Sequence, residues 1–322
     1  MNLISSVYKK IKRHILSIYI SLFLPPADVV EFNKNYQDAL IKYIANKDTY
    51  SYNKFLMPEW AENTNTIEKY FTESFSVSFL RHQLLKSTMF AHLPKAAKLI
   101  QKKLITSYFG KEKTKEYLQE SLVGAPILND LEYKTSGNNI HHLYHLSKFA
   151  KEMHKNLSDI KSYIELGGGY GNMAKLVKHI NKEATYIIID IPIFSYIQYI
   201  YLSTVLGKEH VVFFGESGEI IPGKINLIPL DNQLIQQFIS LKYSPDVFIS
   251  TWALSESNQA TQSLVRDNDY FQAEYLLLAY QKANDSFTFA QEVTKLNNNF
   301  VVNYNDETEY LSNNFYLFAS RK

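Results

Sequence analysis

Residues 163–173 read Tyr163-Ile164-Glu165-Leu166-Gly167-Gly168-Gly169-Tyr170-Gly171-Asn172-Met173, and this stretch decides the fold. An apolar strand runs into four glycines within five positions. A helix follows, with Met173, Leu176, Val177 and Ile180 on one face. Glycine takes positive φ freely and puts no Cβ between backbone and ligand. The start of the helix adds unpaired N–H groups. In a doubly wound α/β sheet such a turn lies at the carboxyl end of the first strand, where nucleotide-like ligands bind.

The glycine spacing narrows the ligand. A dinucleotide fingerprint needs Gly-x-Gly-x-x-Gly/Ala. From Gly167 the sixth position is Asn172, from Gly168 the third is Tyr170, and the Gly169 register fails too. No Gly-Lys-Ser/Thr follows, which excludes a P-loop. The stretch fits Glu-x-Gly-x-Gly-x-Gly at Glu165, Gly167, Gly169 and Gly171. Some way on, the run Tyr186-Ile187-Ile188-Ile189 ends in Asp190, where such folds hydrogen-bond ribose hydroxyls. A tight turn and a chance acid would be the bland alternative. Loop, acid and strand–helix order together argue against it.

Short apolar runs at 162–166, 185–191, 211–214, 225–230, 246–250, 274–279 and 313–319, several with helical stretches between them, predict a mainly parallel sheet covered on both faces. Upstream the pattern is helical, with stretches at 31–44, 67–90, 95–108 and 112–122, punctuated by Pro94 and by Gly124-Ala125-Pro126. The expected organisation is a mainly helical N-terminal region, 1–155, on the substrate side or in oligomerisation. A Rossmann-like α/β domain, 156–322, follows it.

Among 322 residues, 34 Lys and Arg stand against 32 Asp and Glu, a net charge of +2 that predicts no nucleic-acid partner. The absence of cysteine excludes disulfides, thiolate zinc sites and cysteine nucleophiles, and leans towards a cytoplasmic location. Residues 3–24 carry a helical apolar stripe (Leu3, Ile4, Val7, Tyr8, Ile11, Ile15, Ile18, Tyr19, Leu22). Lys9, Lys10, Lys12 and Arg13 lie mainly off it, and Pro25-Pro26 ends it. The apolar stretch Ile15–Leu24 is too short to span a bilayer, and no small-x-small cleavage site of a signal peptide follows it. A packed or partner-facing helix and a membrane-surface helix, with peripheral membrane contact, are the leading readings, and a signal peptide is the third.

The loop and second-strand acid resemble the first motifs of class I S-adenosylmethionine-dependent methyltransferases. With Asn138-Asn139-Ile140-His141-His142-Leu143-Tyr144-His145-Leu146 and Ile189-Asp190-Ile191-Pro192, the chain is similar, from about residue 140 on, to sugar O-methyltransferases of bacterial surface-polysaccharide loci. The resemblance implies S-adenosylmethionine as cofactor and a sugar or glycan hydroxyl as acceptor. Another small acceptor, or a catalytically degenerate binding module, are its alternatives. It further implies that Gly167, Gly169 and Gly171 line the methionine and ribose portion, that Glu165 holds the amino group, and that Asp190 accepts both ribose hydroxyls. A third acid belongs near the adenine. Glu216 and Asp231 are the candidates, and Asp231 is preferred because a helical stretch follows it.

Removing the acceptor's hydroxyl proton calls for a general base. Residues 251–257, after a run ending Phe248-Ile249-Ser250, belong at the carboxyl edge of the sheet. There Trp252 is a candidate to stack on the substrate, and Glu256 to accept a proton or bind a hydroxyl. His141 and His145 share a helical face, with His142 beside them. His142 occupies the place of the zincin glutamate, so no metal is expected and His142 and His145 are listed as base or substrate ligand. Gly215-Glu216-Ser217-Gly218 has the wrong spacing for a nucleophile elbow.

Overall fold

The computed structural model describes residues 3–90 and 94–322. The side chains of Leu3, Ile4, Val7, Lys9 and Lys10, part of the expected N-terminal stripe and its charges, lie outside the described residues. Six helices come first: α1 (Leu3–Ser21), α2 (Val29–Asn46), α3 (Pro58–Glu73), α4 (Gln83–Met89), α5 (Lys95–Phe109) and α6 (Lys111–Tyr117). The stretch predicted as one helix over 67–90 is broken. Backbone turns at Ser74–Arg81 let Phe75 and Phe79 stack on Phe32, so aromatic packing overrides helical periodicity there. A short hairpin, β1 (Leu128–Asp130) and β2 (Thr135–Ser136), then leads into α7 (Gly137–Glu152).

The remaining strands form one eight-stranded sheet: β3 (Ser162–Leu166), β4 (Thr185–Asp190), β5 (Val211–Phe213), β6 (Ile225–Pro229), β7 (Val247–Thr251), β8 (Tyr275–Gln281), β9 (Phe300–Glu307) and β10 (Asn314–Arg321). Their order is β5-β6-β4-β3-β7-β8-β10-β9. The first six run parallel, while β10 pairs antiparallel with both β8 and β9. The chain reverses its lateral direction between β4 and β7, on either side of β3. That is the switch point where a doubly wound sheet opens a crevice beyond its strand ends. Helices α8 (Asn172–Ile180), α9 (Pro192–Leu206), the short α10 (Phe214–Ser217), α11 (Asn232–Ser240) and α12 (Gln259–Asp267) complete the Rossmann-like arrangement.

Two cores follow from this layering. One face buries Ile164, Ile187 and Phe248 with Phe238 and Phe271. The other joins Ile188, Tyr170 and Tyr201 to Phe32, Phe71 and Phe79, so one continuous core crosses residue 155. Helix α9 is apolar all round because it is sandwiched: α2 covers it, with Tyr43 edge-on to Tyr196 and Asn35 donating to Thr204.

Helix α1 turns the other way. It meets the chain through Ser17 and Ile20, the Ser17 hydroxyl accepting from Leu128 N–H at 3.0 Å. Tyr8, Ile11, Ile15, Ile18, Tyr19 and Leu22 are each more than half exposed. From Tyr8 on the predicted stripe is present, and the described residues leave it exposed.

Candidate active site

A cavity of about 460 Å³ opens at the carboxyl ends of β3, β4 and β7. Phe55, Trp60, Met89 and Phe90 wall it from the helical region, and α7 supplies His141, His142 and His145. Glu165, Gly167, Gly169, Asp190, Trp252 and Glu256 all line it. Eight of the ten predicted site residues therefore converge on one space.

The glycines divide by role. Gly167 sits at φ +77°, and a Cβ there would lie 2.2 Å from that of Ala253, so packing demands glycine. Gly171, at φ +91°, is blocked by Leu202 and precedes α8, and it does not line the cavity. Its expected contact with the ligand is corrected to a backbone role. Gly169, at φ +58°, has only Met89 near its Cβ direction, 3.8 Å away. The Cβ direction of Gly169 is thus open apart from ordinary contact with Met89. Gly169→Val should abolish binding of adenosylhomocysteine by a protein that remains folded, as measured by calorimetry. Unchanged affinity would take the loop out of the site.

The two acids are buried and lack a salt-bridge partner among the described residues. Glu165 accepts from Tyr186 Oη at 2.9 Å. Desolvation, with the nearby Asp190 charge adding to it, pushes Glu165 up to about 8. Asp190 accepts from Gly169 N–H (3.1 Å), Gln198 Nε2 (2.8 Å) and Ile191 N–H (2.8 Å). Burial still outweighs these bonds and raises its pKa to about 7. Three bonds occupy three of roughly four acceptor sites on a carboxylate, leaving room for one hydroxyl rather than the expected two.

Asp231 is a correction. Its Oδ1 caps α11 through Gln233 and Leu234 N–H, and its Oδ2 accepts from Ser51 N–H at 2.7 Å. It is held away from the cavity wall by structural work. Glu216, the other candidate, is exposed and paired with Lys42 at 2.8 Å.

At the far end Trp252, in the left-handed region at φ +66°, donates Nε1–H to Asn314 Oδ1 at 2.6 Å. Its ring lies 5.8 Å from His141 and 5.5 Å from His145, centroid to centroid. All three histidines are held neutral by desolvation: His141 and His142 fall to about 3, and His145 well below its ordinary value. Glu256 makes no side-chain hydrogen bond among the described residues, and burial raises its pKa. No group of three or more metal-ligating side chains converges among the described residues.

Sequence reasoning missed the partners of these groups: Tyr186, Gln198, Gln101, Asn172, Tyr310 and Tyr316. Gln198 alone carried a signal, as a lone amide inside the apolar helix α9.

No protein-family model matches the chain, and no curated protein does. Among solved structures it is similar to magnesium protoporphyrin IX methyltransferase from Synechocystis PCC 6803 with bound S-adenosylmethionine (12% identity, 72% of this chain, 100% of that one, TM-score 0.39). It is also similar to the pyocyanin biosynthetic protein PhzM (14%, 80% and 76%, TM-score 0.37). A third is fibrillarin from Aeropyrum pernix with natively bound S-adenosylmethionine (11%, 51% and 67%, TM-score 0.36). At such values, what this site does has to come from its own residues.

Proposed function

We propose that this chain is an S-adenosylmethionine-dependent O-methyltransferase acting on a sugar hydroxyl, in surface-polysaccharide or glycan biosynthesis. The observation that carries the cofactor is a pair of buried carboxyls with no countercharge, Glu165 and Asp190, beside a glycine at positive φ. Such a pocket suits a ligand that brings cationic groups and hydroxyl donors. Glu165 would hold an ammonium, Asp190 one ribose hydroxyl, and Gly169 leaves the backbone open to the ligand. When bound, S-adenosylmethionine supplies a methyl group on a sulfonium that departs as a neutral thioether. The chain's own task is then to align the acceptor, exclude water and receive its proton.

The acceptor end supports a polyhydroxylated ring. Trp252 offers an aromatic face, and Glu256, Gln281, Asn284 and Asn314 surround the same cavity with polar groups. An adenosylhomocysteine thermal shift tests the cofactor, and no shift at millimolar ligand would favour a degenerate binding module. Methyl-labelled donor against a panel of nucleotide sugars and glycan fragments tests the acceptor. Labelling of non-sugar acceptors alone would sink the sugar reading.

The exposed apolar face of α1 supports peripheral contact with an anionic membrane. Lys9, Lys10, Lys12 and Arg13 accompany it, and no acid precedes Asp28. No helix among the described residues is long and apolar enough to cross a membrane. The protein should sediment with phosphatidylserine-containing vesicles, less so as salt rises, and Ile15→Glu should weaken that binding. Equal binding to neutral vesicles, or none to either, would refute the contact.

A further inference from the structure

The charge of the cavity lining restricts what an acceptor can carry. Glu165, Asp190 and Glu256 line the cavity, and among the described residues no Lys or Arg does. His141, His142 and His145 are held neutral there by desolvation. The cofactor accounts for Glu165 and Asp190 and leaves Glu256 at the acceptor end. The turn that carries Glu256 is fixed without its carboxyl: Glu256 N–H donates to Trp252 O at 2.9 Å, and the Ser255 hydroxyl donates to the same oxygen at 2.8 Å. The carboxyl is left to face the cavity with no side-chain partner among the described residues. Carboxylate oxygens accept from sugar hydroxyls and repel phosphate.

The same character continues beyond the cavity. Leu311, in the hairpin that joins β9 to β10, borders both the cavity and a second space of about 450 Å³. Pro94 and Ile100 wall this groove on one side, and Glu307, Glu309, Tyr310 and Ser312 on the other. Again no Lys or Arg lines it among the described residues. Cations nearby are committed: Lys98 donates to Asn129 O at 3.2 Å, and Lys148 lies 3.2 Å from Glu152 and 3.9 Å from Glu309. Hydroxyl, carboxyl and apolar surfaces side by side suit sugar units, which present hydroxyls and C–H faces together.

We infer that the acceptor is the end of a phosphate-free glycan chain rather than a nucleotide sugar, with its terminal ring against Trp252 and Glu256 and the next units in the groove beyond Leu311. The inference rests on the sugar O-methyltransferase reading and narrows its substrate class. In a nucleotide sugar the pyrophosphate hangs on the anomeric carbon, so a ring seated here would press two phosphates against carboxyls without a countercharge. In a glycan that carbon carries the next sugar instead. Glycosyl transfer must then come before methylation, as the class of reaction that exchanges the nucleotide for a chain.

The test uses the full chain and methyl-labelled donor. Each nucleoside diphosphate sugar of the panel is compared with the methyl glycoside, disaccharide and trisaccharide of the same sugar. The best fragment should exceed its nucleotide sugar at least tenfold in kcat/KM, and the disaccharide should exceed the methyl glycoside. Calorimetry of the adenosylhomocysteine-loaded protein should show binding of the best fragment and none of millimolar uridine diphosphate. Ser312→Trp, which fills the groove, should remove the gain with length while adenosylhomocysteine affinity stays within a few-fold. A nucleotide sugar used within tenfold of the best fragment overturns the inference and leaves the methyltransferase reading standing. Equal use of methyl glycoside and trisaccharide overturns it too. Both comparisons use the unmutated chain, so they decide even if Ser312→Trp does not fold. Transfer to no sugar, or absence of adenosylhomocysteine binding, overturns the underlying reading and this inference with it.

Discussion

Replacing Glu120 by alanine should destabilise the protein by about 3–5 kcal/mol, the cost of orphaning one member of a buried ion pair. Glu120 Oε1 lies 3.6 Å from Lys175 Nζ, and both side chains are 2% exposed. Glu120 Oε2 also accepts from the Thr135 hydroxyl at 3.0 Å and Ser136 N–H at 2.7 Å, pinning the hairpin strand that leads into α7. Lys175 makes its remaining bond to Asn139 Oδ1, in the first turn of α7. Desolvation lowers the Lys175 pKa despite its partner, so the ammonium depends on that carboxylate. Urea denaturation of Glu120→Ala, Lys175→Met and the double variant measures the coupling. The double variant should recover part of the loss, because it leaves no unpaired charge. Strictly additive losses would mean that the two groups are not a unit. The pair also sets the start of the helix carrying the three histidines, so Glu120→Ala should depress transfer without touching the cavity directly.

The parts of this site written in adjacent residues could be read from the sequence, and those assembled across the chain could not. The glycine loop and Asp190 were readable because strand, turn and acid follow one another at fixed spacing. Asp231 misled because an acid before a helix looks the same whether it binds a ligand or caps the helix, and here it caps. The Tyr316 that hydrogen-bonds His145 lies 171 residues away, with nothing local to announce it. Strand β9 went unread because only Phe300 along it is buried, so it lacks an apolar run. For α1, periodicity showed which face is apolar but could not show that Tyr8, Ile11, Ile15, Ile18, Tyr19 and Leu22 stay exposed among the described residues.

Asp190→Ala should weaken adenosylhomocysteine binding by roughly ten- to a hundred-fold, the loss of one charge-assisted hydrogen bond worth about 1.5–3 kcal/mol. The same residue predicts a pH dependence in the parent protein. Asp190 near 7 and Glu165 near 8 are both mostly protonated in mildly acidic solution. A ligand presenting hydroxyl donors and an ammonium favours their ionised forms, so affinity should rise between about pH 6 and about pH 8. Stability of the free protein should move in the opposite direction. A carboxyl whose folded pKa is raised contributes stability below its unfolded value, about 4, that is lost as pH climbs through the folded value. The lowered histidines act with the other sign, stabilising above their unfolded pKa of about 6.5 and losing that contribution as pH falls. Only above about pH 7.5 are the histidines nearly neutral in both states, so the fall in melting temperature from there to about pH 8.5 belongs to the acids, Glu165 above all. Adenosylhomocysteine should therefore raise the melting temperature more at the alkaline end of that window. In Asp190→Ala both slopes should shrink, with Glu165 alone left to titrate. A mutant that keeps the parent's affinity and pH slope would remove Asp190 from the cofactor site, and with it the countercharge argument on which the methyltransferase reading stands.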